Sequence, residues 1–391
     1  MREGWDDTKL GFVSEFIMGQ APLGERCNKD GIGTPFVKAG EFQENRPKIV
    51  EWTTDPLKMA KSSDVLVCVV GATAGKINLG ADCAIGRSVA AIRPGKELHQ
   101  LYLYYLLSLE LSNLRSGSRG SAQGVITKDD LHRISVTLPP LPEQKRIVDL
   151  ISTIDSYIEA LQEQLECVKK SRNAILHDLL TAGGDDDWVR TTLGEVTELN
   201  PEQAKDFDSD RLIRYVDLSS VNFDSGIDET IEPIVFSEAP GRARRIIRDK
   251  DVIVSTVRPY LKGFAIVDSN YDGEIASTGF CVIRANPETL SPFLVWAIVS
   301  SDDFVQHLIG RSTGSSYPAV RPSDISEYSI ILPPRGKQEV IGNLIFDLDQ
   351  MARNTVSTIH AANAFRSGVL SDLLSGAHEI PTSYDEVLDV A

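Results

Sequence analysis

Cysteine is scarce in this chain of 391 residues, and the five cysteines include no CxxC pair. They are Cys27, Cys68, Cys83, Cys167 and Cys281. An odd number at unpaired spacings fits neither a disulfide framework nor a zinc site. The sequence also lacks the run of about 20 apolar residues that spans a bilayer, and its N-terminus lacks the apolar core of a signal peptide. We therefore predict a cytoplasmic protein with reduced cysteines and no membrane partner.

Positive charge is in the minority, since 40 Lys and Arg stand against 56 Asp and Glu, for a net charge of −16. Such an acidic total argues against indiscriminate binding to nucleic acid or anionic membranes, although it allows a local basic face. The hydrophobic content of 42% and charged content of 25% are ordinary for a folded protein and exclude global disorder. The length suggests two or three domains.

Catalytic motifs are also missing. The segment VVGATAGKI (69–77) has three residues between its glycines and Ile77 after Lys76, whereas a P-loop needs four residues and a hydroxyl. No histidine pair has HxxxH spacing, no serine lies in a GxSxG turn, and no Asn-Pro pair precedes an aromatic residue as in amino-methyltransferases. We predict a non-catalytic chain that itself binds no cofactor or metal, with an enzyme of unrecognised type as an alternative.

What the sequence does contain is an internal repeat, the first feature to seek in a chain of this length. Residues 138–182 and 332–376 align without gaps at an offset of 194, and 13 of 45 positions are identical. Looser matches precede them, such as DVLVCVVGATAGK (64–76) with DVIVSTVRPYLKG (251–263). The predicted order is a domain (1–137), a connector (138–183), a second domain (184–331), a second connector (332–376) and an acidic tail (377–391).

The connectors are predicted to be long helices. In the first, apolar residues recur at alternating spacings of three and four, which is close to a heptad pattern: Ile147, Leu150, Ile151, Ile154, Ile158, Leu161, Leu165, Val168, Ile175, Leu176 and Leu179. Each helix would run about 40 residues, or roughly 60 Å. We predict that the two helices pair as an antiparallel coiled coil that separates the domains. Two independent helical hairpins, one on each domain, are the alternative.

The domains are predicted to be α+β copies of one fold. Short β-type runs bounded by turn residues occur at 64–70, 89–92, 134–138, 252–257, 280–283 and 328–332. Apolar segments at 98–114 and 291–309 predict one helix in each domain.

A polar loop without acidic residues follows each of these helices. The windows 112–128 and 304–323 occupy matched places and contain no Asp or Glu. Arg, Ser, Gln and Tyr in loops suit phosphate and base-edge contacts, although a solvated surface loop is the alternative. We predict the following DNA contacts from these windows and the two aligned segments: Lys76, Arg115, Arg119, Ser121, Gln123, Arg258, Lys262, Arg311, Ser315, Tyr317 and Arg321.

From about Trp5 to Gly376, the chain resembles the specificity (S) subunit of type I restriction–modification systems. The most specific motifs are LPPLPEQKRIVDLISTID (138–155) and LPPRGKQEVIGNLIFDLD (332–349), with the tails ILHDLLTAG (175–183) and VLSDLLSG (369–376). The resemblance implies two target-recognition domains, each reading half of a split DNA site, and a helical spacer that docks two modification (methyltransferase) subunits.

The same resemblance implies further partners, namely restriction/translocase subunits, and partner cofactors, namely S-adenosylmethionine, ATP and Mg²⁺. Two other interpretations stay open. The chain could serve a methylation-only or other restriction system, or it could be a coiled-coil scaffold with two protein-binding domains.

Overall fold

The computed structural model describes residues 4–117, 125–181, 187–205 and 207–385. The chain forms two compact units, Met1–Glu159 with Ala361–Ala391, and Ala160–His360. Both boundaries fall inside the predicted connector helices, so each unit contains one domain and parts of both connectors. Within the described residues, no helix combines the length and hydropathy that a membrane span requires.

In the first unit, the elements before the long helix form three sheets. The strands are β1 (Asp6–Lys9), β2 (Ser14–Met18), β3 (Cys27–Asn28), β4 (Thr34–Val37), β5 (Trp52–Thr53), β6 (Met59–Ala60), β7 (Val65–Cys68), β8 (Ile77–Leu79), β9 (Cys83–Ile85), β10 (Val89–Pro94) and β11 (Ser135–Leu138). The helices are α1 (Leu10–Val13), α2 (Gln100–Gly117), α3 (Lys128–Arg133) and the long α4 (Leu141–Thr181). The sheet orders are β1-β11, β2-β10-β7-β8 and β3-β5-β4-β9-β6.

The second unit has a similar order of elements. Its strands are β12 (Val189–Thr192), β13 (Thr197–Leu199), β14 (Leu212–Ile213), β15 (Tyr215–Val216), β16 (Val221–Asn222), β17 (Gly226–Ile227), β18 (Ile234–Val235), β19 (Ala243–Ile246), β20 (Val252–Ser255), β21 (Phe264–Ile266), β22 (Ile275–Ser277), β23 (Phe280–Ala285) and β24 (Ser329–Leu332). Its helices are α5 (Leu193–Val196), α6 (Pro292–Val299), α7 (Asp302–Arg311), α8 (Pro322–Ser326) and the long α9 (Arg335–Leu374).

The sheets confirm the predicted duplication. The order β2-β10-β7-β8 of the first unit recurs as β13-β23-β20-β21 in the second, and the pair β1-β11 recurs as β12-β24. Each unit also has one parallel pair, β4 with β9 and β15 with β22. Two α+β domains of one fold are therefore present, as predicted.

An ion pair with a buried aspartate is repeated in the four-stranded sheet of each unit. The aspartate directly precedes β7 in the first unit and β20 in the second. The guanidinium of Arg93 donates to both oxygens of Asp64 over 2.9 and 3.0 Å, and Arg284 does the same to Asp251 over 2.8 and 2.7 Å. Both aspartate side chains are buried. The repeated segments therefore owe part of their likeness to this shared internal contact.

The segment predicted as one helix at 291–309 is two helices in the structure. Helix α6 ends at Val299, and α7 begins after Ser301. The Ser301 side chain accepts a hydrogen bond from Phe304 N over 3.2 Å, which satisfies a free backbone donor of the new helix. The apolar periodicity continues across this break, so periodicity alone did not reveal it.

The two long helices pack against each other in antiparallel fashion. In the first unit, Ile151 of α4 and Leu370 of α9 belong to one hydrophobic core. In the second unit, Leu176 of α4 and Ile345 of α9 belong to another. The early part of each helix thus shares a core with the late part of the other, which confirms the coiled coil and excludes two separate hairpins.

A buried glutamine fixes the first turn of each long helix to its domain. The amide of Gln144 donates to Glu97 O and Pro139 O over 2.8 and 2.9 Å, and its oxygen accepts from His99 N over 2.8 Å. Gln338 makes the same three kinds of contact, to Thr289 O and Pro333 O and from Ser291 N. The repeated Leu-Pro-Pro motif therefore precedes a repeated backbone clamp.

The residues after α9 form a packing arm on the first unit. Ile380 is buried in the core of that unit, and Asp385 pairs with Arg146 over 3.1 Å. Gly376 lies against the ring of Trp5 near the other end of the chain. Over the described residues, the acidic tail is therefore part of the first unit.

Candidate nucleic-acid interface

In each unit, two loops contact each other through backbone bonds. One follows β7 or β20, and the other is the acid-free loop that precedes α3 or α8. In the first unit, Val70 forms a β-bridge with Val125, and Ile126 N donates to Val69 O over 2.8 Å. In the second unit, Val257 bridges Ala319, and Val320 N donates to Thr256 O over 2.9 Å. The two sequence segments predicted to contact DNA therefore lie side by side in each unit.

Arg258 is the centre of this site in the second unit. Its guanidinium lies 4.4 Å from the centroid of the Tyr317 ring, a cation–π distance. Its Nη2 donates to Ser316 O over 3.3 Å, and its backbone N donates to Pro318 O over 2.7 Å. These contacts bring together Arg258 and the Ser315–Tyr317 stretch, which were predicted from separate segments.

The predicted polar residues of this loop face solvent. The side chain of Tyr317 is 68% exposed, and Ser315 is also exposed. Arg321 is exposed too and immediately precedes α8, where its backbone N donates to the Asp324 carboxylate over 2.7 Å. These side chains can therefore reach a ligand without rearrangement of the core.

Lys262 and Arg311 already have acidic partners within the chain. The ammonium of Lys262 lies 2.7 Å from Asp302, and the guanidinium of Arg311 lies 2.6 Å from Glu327. Arg311 is also 3.8 Å from Asp324. Their charges are thus partly neutralised, in contrast to the charge of Arg258, which is fixed by a carbonyl and a ring.

The corresponding loop of the first unit has small residues. Lys76 is exposed, and its backbone N donates to Thr73 O over 2.9 Å in the turn between β7 and β8. Arg115 lies on helix α2. The predicted contacts Arg119, Ser121 and Gln123 lie outside the described residues.

A further group of basic residues lies at 242–250, and two of its arginines are paired with acidic residues. Arg242 bonds Asp217 over 3.0 Å, and Arg248 bonds Glu202 over 2.7 Å. The hydrogen bond from Arg248, together with that from Arg284, lowers the pKa of Glu202 to about 2. These charges hold elements of the second unit together and are poor candidates for phosphate contacts.

Two exposed residues beside Arg258 were missed in the list of predicted contacts. The side chains of Tyr260 and Leu261 are 51% and 64% exposed at the tip of the loop after β20. Their signal in the sequence was the contrast between RPYLK in this loop and GATAG in the aligned loop. Across the described ranges, no group of three or more metal-binding side chains comes together. The arrangement suits contact with a nucleic acid, whose phosphates would meet the basic side chains and whose base edges would meet the apolar ones.

The comparisons with known proteins agree with this geometry. The family model for the type I restriction modification DNA specificity domain matches residues 2–170 and 185–360. The chain is 35% identical over 184 residues to a putative type I restriction enzyme MjaX specificity subunit of Methanocaldococcus jannaschii, covering 46% of this chain and 43% of that protein. It is 21% identical over 383 residues to the MjaVIII specificity subunit of the same organism, covering 89% of this chain and 87% of the relative.

Solved structures show the same fold. A crystal structure of a type I restriction–modification S subunit from M. genitalium matches with a TM-score of 0.66 at 17% identity, and covers 95% of this chain and 96% of that chain. A structure from a study of complex assembly and conformational transition in a type I system matches with a TM-score of 0.54 at 18% identity, over 96% and 98%.

Proposed function

The chain belongs to the family of type I restriction–modification specificity subunits, with two DNA specificity domains, and on this premise we propose that each domain reads one half of a bipartite DNA target. Members of this family are the non-catalytic recognition components of their systems. The duplicated loops carry the proposal. In each unit the same two segments are bridged, yet their side chains differ, as two different half-sites require.

We further propose that the chain assembles with two modification subunits and with restriction/translocase subunits. Those partners would supply S-adenosylmethionine, ATP and Mg²⁺ chemistry, since this chain lacks the motifs that bind them. The acidic total charge of −16 supports such sharing, because a subunit that bound DNA alone would benefit from a larger basic surface. The exposed basic and aromatic groups would then select sequence while partners provide additional phosphate contacts.

Methylome sequencing tests the proposal. A strain carrying the complete system should show one methylated motif of two separated halves, and deletion of this chain should abolish it. A strain with the chain deleted and then restored serves as the control. Methylation that persists without the chain would contradict the recognition role. A binding assay of the assembled complex with DNA duplexes tests the alternative, since a complex that assembles but binds no duplex would favour the protein scaffold.

A further inference from the structure

The loop after β20 carries basic residues where its counterpart has glycine. Aligning 251–263 with 64–76 places Arg258 opposite Gly71 and Lys262 opposite Gly75. All four have left-handed backbones, with φ of 49° at Arg258 and Lys262, 82° at Gly71 and 80° at Gly75. The two loops therefore share left-handed backbone positions, but only the loop of the first unit has glycine there, the residue that adopts this conformation without strain.

This conformation carries an energetic cost for Arg and Lys that glycine does not have. Two such residues in a five-residue loop point to function, because backbone strain persists where the surroundings hold it and concentrates at binding sites. Since the first unit accommodates glycine at both places, the fold itself does not require the basic side chains.

The basic side chains hold both ends of the loop. Arg258 packs on the Tyr317 ring and donates to Ser316 O, as described above. Lys262 bonds Asp302 at the start of α7, and its ammonium lies 5.3 Å from the centroid of the Phe223 ring. The loop is thus fixed at each end to a different neighbour.

Between these ends, the loop presents large apolar side chains to solvent. Tyr260 and Leu261 are 51% and 64% exposed, and Tyr317, which packs against Arg258, is 68% exposed. The first unit has Ala72-Thr73-Ala74 at the corresponding tip. Neighbouring exposed apolar groups at a rigid tip are typical of a binding surface.

We propose that residues 258–262 form a preorganised finger that contacts base edges in the half-site bound by the second domain. Tyr260 and Leu261 make the contact, and apolar side chains of this kind favour the methyl group of thymine. Arg258 and Lys262 are positioning residues that hold the finger. In the first unit, the corresponding loop has glycine and small side chains, so its backbone can approach the other half-site closely. This inference rests on the proposed function.

The test replaces residues 258–262 with Gly-Ala-Thr-Ala-Gly in the full-length chain, assembled with its modification subunits. Wild-type and grafted complexes are mixed with duplexes randomised over roughly four helical turns of about 10 base pairs each, and bound duplexes are sequenced. We expect the graft to lose about tenfold or more of its base preference in one half of the motif and to keep the other half. Its melting temperature should stay close to that of wild type, because relief of the left-handed backbone at both ends offsets the lost contacts of Arg258 and Lys262.

Two smaller variants separate contact from positioning. Tyr260→Thr with Leu261→Ala keeps both basic residues and should lose the same base preference as the graft. Asp302→Asn removes the partner of Lys262 without changing the sequence of the finger. It should therefore weaken the base preference without weakening binding to scrambled duplexes. Tighter binding to all duplexes with unchanged preference would instead make Lys262 a latent phosphate contact and overturn its positioning role.

The outcomes distinguish failure of the finger from failure of the proposed function. If wild-type complex recovers no motif, the proposed DNA-reading function fails, and the finger fails with it. If wild type recovers two halves and both the graft and the Tyr260–Leu261 variant recover the same two halves with equal preference, the finger is overturned while the function stands.

Discussion

Arg172 and Asp349 form a buried ion pair between the two long helices, and Arg366 and Asp155 repeat it 194 positions along the chain. In each pair the aspartate also accepts a hydrogen bond from an aromatic side chain of its own unit. Asp349 accepts from Trp296 Nε1 over 2.7 Å, and Asp155 accepts from the hydroxyl of Tyr105 over 3.0 Å. The identity of these positions between the connectors thus reflects one contact made twice.

Arg172→Ala should lower the free energy of unfolding by about 3–5 kcal/mol, because it removes the guanidinium that bonds the buried Asp349 carboxylate. Arg366→Ala should cost less, on the order of 1 kcal/mol, because its ion pair is more exposed. The side chains of Arg366 and Asp155 are 23% and 31% exposed, whereas those of Arg172 and Asp349 are 9% and 8% exposed. Urea unfolding measures both, with the Asp→Asn partners completing double-mutant cycles. Equal losses in the two pairs would contradict the assigned difference in burial.

Acid should weaken the second unit through Glu202. Its pKa is about 2 in the folded chain against an ordinary 4.5, because Arg248 and Arg284 bond its carboxylate. A carboxyl group whose pKa is lowered by folding stabilises the folded state at pH values above its unfolded pKa. The contribution of Glu202 to stability is therefore complete above about pH 4.5 and is lost as the pH falls toward about 2. Urea unfolding over this range should show a smaller pH dependence for Glu202→Gln than for wild type. An unchanged dependence would mean that other carboxylates dominate.

Exchanging residues 184–331 for the equivalent domain of a relative should change one half of the methylated motif. The expectation follows from divergent domains beside similar connectors. Methylome sequencing of strains with parent and exchanged subunits makes the comparison, and a reciprocal exchange of residues 1–137 should change the other half. A change in both halves after either exchange would refute the assignment of one domain to one half-site.

Lengthening the long helices should lengthen the gap between the half-sites. Four residues inserted after Ala160, with four after His360 to extend the antiparallel partner, add about 6 Å of helix and about 40° of rotation. The motif should keep its halves and gain about one base pair or slightly more in its gap, since a base pair spans about 3.4 Å. Methylome sequencing reads the gap directly. An active complex whose gap stays constant would exclude a spacer that sets distance.

The acid-free loops should contribute to cognate binding through Arg119 and Arg311. Alanine at either position should weaken cognate binding by about 1–3 kcal/mol if the arginine contacts guanine, or lower the salt slope by about 1 if it contacts phosphate. Binding of assembled complex to cognate and scrambled duplexes over a salt series separates these cases. Glu327→Gln, which releases Arg311 from its 2.6 Å ion pair, is the matched control. Wild-type affinity and slope in both alanine variants would place recognition elsewhere.

Much of the fold was predictable because the repeat constrains it. Leu10-Gly11 and Leu193-Gly194 recur for a reason that the structure explains, since an added Cβ would come within 1.8 Å of His132 and 1.9 Å of Ser326. The seam of apolar residues likewise predicted both long helices. Patterns of this kind persist because they record close packing, which tolerates few side chains.

The details of the candidate site were less predictable. The neutralisation of Lys262 by Asp302 depends on a contact 40 positions apart, which no local pattern records. The left-handed backbone at Arg258 was hidden because L-residues seldom adopt it, so only the aligned Gly71 signalled it. Leu261 was not predicted as a contact, because apolar residues in a sequence usually indicate a core.

The division of the chain also bears on the order in which it folds during synthesis. The second unit is continuous, Ala160–His360, whereas the core of the first unit includes Leu370, Leu373 and Ile380. A nascent chain therefore contains every residue of the second unit before the ribosome has supplied the last residues of the first. The N-terminal domain is made first, but its core is completed only after the second unit, because that core includes residues from the final turns of α9.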